Sequence, residues 1–372
     1  MDVLDLFRLM ISKGASDLFL TVGVAPSLKI DGQILPVKTD VLTSESSRLL
    51  TYSLMSNVQR QQFESEKEAN FAVNPEELGR FRINVFYQQG QVGMVARYIR
   101  ADIPTFEGLN LPSSILERIA MSRRGLVFFV GGTGTGKSST QAAVIGYRNR
   151  HSRGHIVTVE DPIEFVHQHD HCIVTQREVG VDTTSYRVAL ENAMRQAPDV
   201  IQIGEVRTSD TMKSAIIFAE TGHLCLATLH ANNTYQALDR IVNLHPDEIR
   251  DHLYMDLSMN LNGIVSQRLV PSANGEGFVP AVEIMLNSPL ISDLILKGEI
   301  ESIREAMEKS TGEGMITFDQ SLFDLFERDL ISYEDAMRNA DSVNNLRLRI
   351  KLEGKKSRGQ TDLGSTFEKV EF

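Results

Sequence analysis

Residues 129–140 read FVGGTGTGKSST: four glycines, a lysine and a row of hydroxyls directly behind an apolar run. Within them, GGTGTGKS (131–138) satisfies GxxxxGK[ST] at every position. It follows the run LVFFV and precedes a helical pattern, which is the setting the motif needs. Glycines let successive backbone N–H groups turn inward around β- and γ-phosphates, Lys137 neutralises their charge, and Ser138 offers a hydroxyl to Mg²⁺. The expected nucleotide-binding residues are therefore Gly131, Gly132, Thr133, Gly134, Thr135, Gly136, Lys137, Ser138 and Ser139, with ATP and Mg²⁺ as the ligands.

Outward from this loop, short β-branched runs (GLVFFVGG, HIVTVED, DVIQIGE and HLCLATLH) alternate with helical stretches at 138–150, 183–196 and 208–220. That alternation predicts an α/β domain with a mostly parallel sheet covered by helices. From about 246 the pattern reads as helical, with Ile249, Leu253, Leu257, Leu261 and Ile264 as one apolar stripe. Thr317 with Gln320 and Ser332 with Asp335 read as capping boxes opening two further helices. The stretch from 351 to 372 is polar and is expected to be a disordered tail.

Upstream, ADIPTFEGLNLPSS (101–114) carries two prolines and reads as a linker. Before it, 17–37 alternates apolar and polar residues around turn signals, and RFRINVFYQ (80–88) turns at Gly90 into VGMVARYIR (92–100), a strand pair presenting arginines on one face. A polar helical stretch (44–69) lies between, so residues 1–100 are expected to form a smaller α+β domain.

The chain has 372 residues, 42% hydrophobic, enough for two domains with sizeable cores. A formal net charge of −11 and the lack of a long Lys/Arg block disfavour nucleic acid as a partner. Two cysteines, Cys172 and Cys225, cannot make a disulfide framework, which fits a reducing cytosol. MDVLDLFRLMISKGASD reads as an amphipathic helix, and nowhere do 18 apolar residues run together, so the expectation is a cytoplasmic protein that meets a membrane only through partners.

Hydrolysis needs a group to hold the metal and one to position water. Acidic residues just past apolar strands are the candidates: Glu160, Asp161 and Glu164 in IVTVEDPIEF, and Glu205 closing DVIQIGE. His223 and His230 flank LCLATL; seven strand residues separate them by about 23 Å on opposite faces, so they cannot share a metal. His230, at a strand end, could sense or orient the γ-phosphate. HQHDHC (167–172) has metal-like spacing at His167, His169 and His171 but reads better as an exposed loop.

GGTGTGKSS, VTVEDPIEF, DVIQIGEVR and AETGHLCLATLH, in this order, resemble the Walker A, Asp box, Walker B and His box of the secretion and type IV pilus ATPases. Within that superfamily the chain is similar to the PilT/PilU retraction ATPases, and FAETGHLCLATLHANNTYQALDRIVN with LNSPLISDLILKGEI looks like its PilU branch. The resemblance implies a PAS-like domain (1–100), a linker (101–114) and a RecA-like P-loop domain with C-terminal helices (115–350), assembled as a homo-hexamer. It implies Glu164 as general base, Glu205 arranging Mg²⁺ (with Ser138) and water, and His230 near the nucleotide. It also implies that arginines among Arg80, Arg82, Arg97 and Arg100, with Arg207 as a further candidate, reach the phosphates. The implied partners are a PilT-type retraction ATPase and a PilC-like inner-membrane platform protein, at the pilus base. Two other readings stay open: a nucleotide-switched accessory subunit of the PilT motor, and a nucleic-acid translocase.

Overall fold

The computed structural model describes residues 2–30 and 32–354 and divides into two compact units. The first comprises residues 1–103 together with 160–168 and 176–189; the second comprises 104–159, 169–175 and 190 onward.

In the first unit, β1 (Asp17–Leu20), β2 (Ser27–Ile30), β3 (Gln33–Pro36), β4 (Glu68–Val73), β5 (Arg80–Gln88) and β6 (Gln91–Ile99) form a sheet of order β3-β2-β1-β6-β5-β4. All its pairings are antiparallel. Phe81, Ile83 and Val85 of β5 point inward at every second position, as a two-residue period demands, and are fully buried. Phe81 stacks on Phe7 of the helix Val3–Ser12 with ring centroids 4.0 Å apart. The polar stretch 44–69 forms two helices, Ser44–Ser53 and Asn57–Glu66, and then the start of β4. Each helix opens on a reciprocal capping box, at Thr43 and at Ser56, which ends one helix's territory and starts the next.

In the second unit, β7 (Gly125–Val130), β8 (His155–Glu160), β9 (Ile173–Glu178), β10 (Val200–Ile203), β11 (Leu224–Leu229), β12 (Leu261–Pro271) and β13 (Phe278–Leu286) give the order β13-β12-β7-β11-β10-β8-β9. β12, β7, β11, β10 and β8 run parallel, and β13 is antiparallel to β12. Every residue of β7 and of β11 is buried, which explains their near-continuous apolar sequences.

Two expectations are corrected. The apolar stripe read as one helix through Leu261 and Ile264 breaks: the helix Arg250–Asn260 ends at Asn260, and Leu261 and Ile264 belong to β12. Gly263 marks the change, because a Cβ there would lie 2.5 Å from the Met285 carbonyl oxygen on β13, so only a glycine lets the two strands close. The expected tail also starts too early, since the helix Val343–Glu353 runs through 351–353; the rest of the tail, 355–372, lies outside the described residues. Phe106 and Leu111, within the segment read as a linker, are buried in the second unit's core.

Candidate functional site: a P-loop braced from a neighbouring strand

β10, β11 and β7 are adjacent and parallel, so their carboxyl ends lie at one edge of the sheet. Open α/β sheets bind ligands at such edges. β7 delivers the glycine loop, β10 delivers Glu205 and β11 delivers His230.

The loop enters the helix Lys137–His151 through glycines in conformations that L side chains rarely adopt, Gly134 at φ 77° and Gly136 at φ 89°. The Lys137 ammonium donates to the carbonyls of Gly131 and Gly132 at 2.9 and 2.6 Å, and the Thr135 hydroxyl donates to Gly132 O at 3.0 Å. Gln267 of β12 closes the back of the loop. Its side-chain oxygen accepts the buried Thr140 hydroxyl at 2.7 Å, and a Cβ on Gly136 would stand 2.6 Å from its amide nitrogen. A Cβ on Gly131 would stand 2.7 Å from the Gln267 carbonyl oxygen, so the loop is shaped around bare backbone.

Beside it, the turn after β10 is stitched to β11: the Thr228 hydroxyl donates to Gly204 O, and Val206 N–H donates to Thr228 O at 2.9 Å. Glu205 projects from this turn. The Arg207 guanidinium donates to Glu205 Oε2 through Nε at 2.7 Å, and His230 Nε2 stands 3.3 Å from Glu205 Oε1. Burial, then the charge of Lys137, pulls the His230 pKa below the ordinary imidazole range, against the opposing pull of Glu205. Gly132, His230, Asn232 and Gln236 line a cleft at the loop's mouth.

The structure thus brings the loop residues 131–139, Glu205, Arg207 and His230 together in the second unit. Glu164 and the four arginines belong to the first. There, Glu164 is exposed on a loop held to the end of β6 by a parallel bridge between Arg100 and Phe165, with Val166 N–H donating to Arg100 O at 3.1 Å. Gln176 holds the same loop, donating to Glu160 and to Phe165 O at 3.1 and 2.9 Å. Two of the arginines carry carboxylate partners: Arg80 donates to Glu178 at 2.9 Å and Arg97 to Asp17 at 2.7 Å. Arg82 lies directly across from Arg97 on the paired strand. HQHDHC lies in an irregular loop, as its sequence suggests, with His169 and His171 exposed; His167 is the exception and is buried, and His169 Nδ1 accepts Val174 N–H at 3.1 Å.

Sequence reading missed Gln267 and Gln176. A glutamine inside an apolar strand was the only signal, and its target, Thr140, lies 127 residues away.

The model of the Type II/IV secretion system protein family matches residues 94–291. The type IV pilus ATPase PilU of Pseudomonas aeruginosa is 54% identical over 93% of this chain and 91% of its own length. The type IV pilus retraction ATPase PilT of the same organism is 37% identical over 93% of this chain and all of its own. The crystal structure of the pilus retraction motor PilT with bound ADP superposes with a TM-score of 0.87, at 39% identity, over 94% of this chain and 99% of that one. With a nucleotide loop of this geometry and relatives of this extent, the chain belongs to the PilT/PilU family of type II/IV secretion system proteins and is a pilus ATPase that binds nucleotide and hydrolyses ATP.

Proposed function

We propose that this ATPase is a motor subunit of a homo-hexameric ring that drives type IV pilus retraction, working with a PilT-type ATPase on a PilC-like platform at the inner membrane. The observation that carries the reading is the Lys137 loop with Glu205, Arg207 and His230 at one sheet edge. Among the described residues no helix is long and apolar enough to cross a membrane, so membrane contact falls to partners.

Mg²⁺ fits the residues present: the loop is built around bare glycine backbone, and Ser138 and Glu205 supply the hard oxygens that such an ion prefers. When bound, the ion would neutralise charge developing on the transferred phosphoryl group. Lys137 and the loop amides bind the phosphates, and Gln267 keeps the loop in shape. Glu205 is oriented through Arg207 and His230. Glu164 takes the general base's role by accepting the proton of the attacking water. Arg80, Arg82, Arg97 and Arg100 are candidates for contact with the phosphates, and a ring would let one subunit lend them to another.

The test is phosphate release from Mg²⁺-ATP by the full chain and by Glu164→Gln, each with and without a PilT-type partner, alongside native mass spectrometry. The expected result is a hexamer whose hydrolysis vanishes in the variant while nucleotide binding persists. An active variant would remove Glu164 from its role. Hydrolysis appearing only with the partner would favour the accessory-subunit reading.

A further inference from the structure

Arg118, Arg123 and Arg124 rim a cleft of about 550 Å³ in the second unit. Ile119, Leu261, Leu286 and Pro289 give it an apolar lining. All three arginines are exposed, and among the described residues none lies within ion-pair distance of a carboxylate, although Arg80, Arg97, Arg207, Arg268 and Arg304 all do. In a chain of net charge −11 this is a local reversal of sign.

The cleft is built rather than incidental. The guanidinium of Arg148, largely buried, donates to Ala120 O and Ser122 O at 2.9 and 2.7 Å, so the turn carrying the rim arginines is fixed from beneath by a further cation. Asn262 Nδ2 donates to Arg124 O at 2.6 Å, and Asn287 N–H donates to Asn262 O at 3.0 Å, which joins the opposite wall to the same turn. Asn287 also lines the cleft, and its buried Oδ1 has no donor among the described residues. At the edge, Leu290 follows Pro289 and is 52% exposed. The Ser258 carbonyl accepts from Asn287 Nδ2 and Ser292 Oγ, which ties this wall to the helix before β12.

We propose that this cleft docks an acidic, amphipathic segment of a partner protein, with carboxylates on the three arginines and an apolar side chain on the lining. Guanidinium groups suit bidentate carboxylate recognition, and buried apolar anchors within a charged rim are how peptide segments gain affinity. A free phosphate would use the rim and leave the apolar wall uncovered. Nucleic acid would meet Glu313 in the cleft and an acidic molecule around it. Because an acidic partner is repelled by the rest of the surface, the cleft fixes where it lands.

The experiment uses the full chain and fluorescein-labelled synthetic peptides rich in Glu, Asp and Leu, in several sequence orders, with counterparts carrying Lys for each acid. Anisotropy should rise with acidic peptides only, and the apparent Kd should weaken at least about tenfold in R118E/R123E/R124E. ATP hydrolysis without peptide should be unchanged in that variant. Hydrogen exchange on the wild-type complex provides a second readout, with protection expected at 118–124 and 286–290. Binding that survives the charge reversal, protection elsewhere, equal binding of the Lys peptides, or no binding by any acidic peptide overturns the proposal. Complete displacement by inorganic phosphate would reduce the cleft to an anion site, and preference for a single-stranded oligonucleotide would replace the protein partner. Either outcome overturns it.

Discussion

Gln267 Oε1 accepts the Thr140 hydroxyl at 2.7 Å, in a place where both side chains are buried and 127 residues of chain separate them. One strand thus fixes the helix that emerges from the nucleotide loop. Gln267→Leu keeps the bulk but orphans the Thr140 hydroxyl, which costs about 1–3 kcal/mol. Chemical denaturation should show that loss, and fluorescent-nucleotide titration should show weaker ATP binding than in the wild type. Unchanged nucleotide affinity would mean that the brace serves the fold alone.

Gly136→Ala meets two obstacles, a φ of 89° and the Gln267 amide nitrogen 2.6 Å from the new Cβ. Strain of about 1–3 kcal/mol concentrates at the loop. Nucleotide binding should fall more than global stability does, measured by titration and thermal melting on one preparation.

His230 carries a pH prediction. Its folded pKa is lowered, first by burial and then by Lys137, so the unfolded chain binds the proton more readily than the folded one. The contribution of a neutral His230 is fully present above the ordinary imidazole value, near 6.5, and is lost as pH falls through that value towards the folded one, below which it levels off. Thermal melts from neutral to mildly acidic pH should therefore drop less steeply in His230→Gln than in the wild type. Parallel curves would show that other groups govern the acid limb.

Arg80 and Glu178 form a pair whose side chains are only 20% and 7% exposed. Breaking it by Glu178→Ala leaves a largely buried guanidinium uncompensated, at about 3–5 kcal/mol. Replacing both partners, as in Arg80→Met with Glu178→Leu, should recover much of that. Arg82, with no carboxylate partner among the described residues, should tolerate Ala within about 0.5 kcal/mol. Urea denaturation of the three variants checks the ranking, and hydrolysis in Arg82→Ala then reports on phosphate contact without a confounding loss of fold.

The strands that carry the site were legible because they are short, buried and bounded by their functional residues. Val130, Ile203 and Leu229 each close an apolar run, and the candidate residues Gly131, Glu205 and His230 follow within two positions. β12 was not legible, because Leu253, Leu257, Leu261 and Ile264 keep a helical spacing across a boundary that Asn260 and Gly263 impose through contacts made elsewhere. The same limit hid Gln267, whose role exists only once β12 lies beside β7. The arginines were found by their strand face, but alternation cannot reveal that Arg80 and Arg97 already hold Glu178 and Asp17.

Lys137 gives its ammonium to two carbonyls of its own loop. The cation that the loop motif sets aside for phosphate is thus also a tie between the head of the helix and the first two glycines of its own loop. Removing the ammonium would therefore loosen the loop's shape as well as subtract its charge, so a lysine substitution here cannot be read as a loss of charge alone.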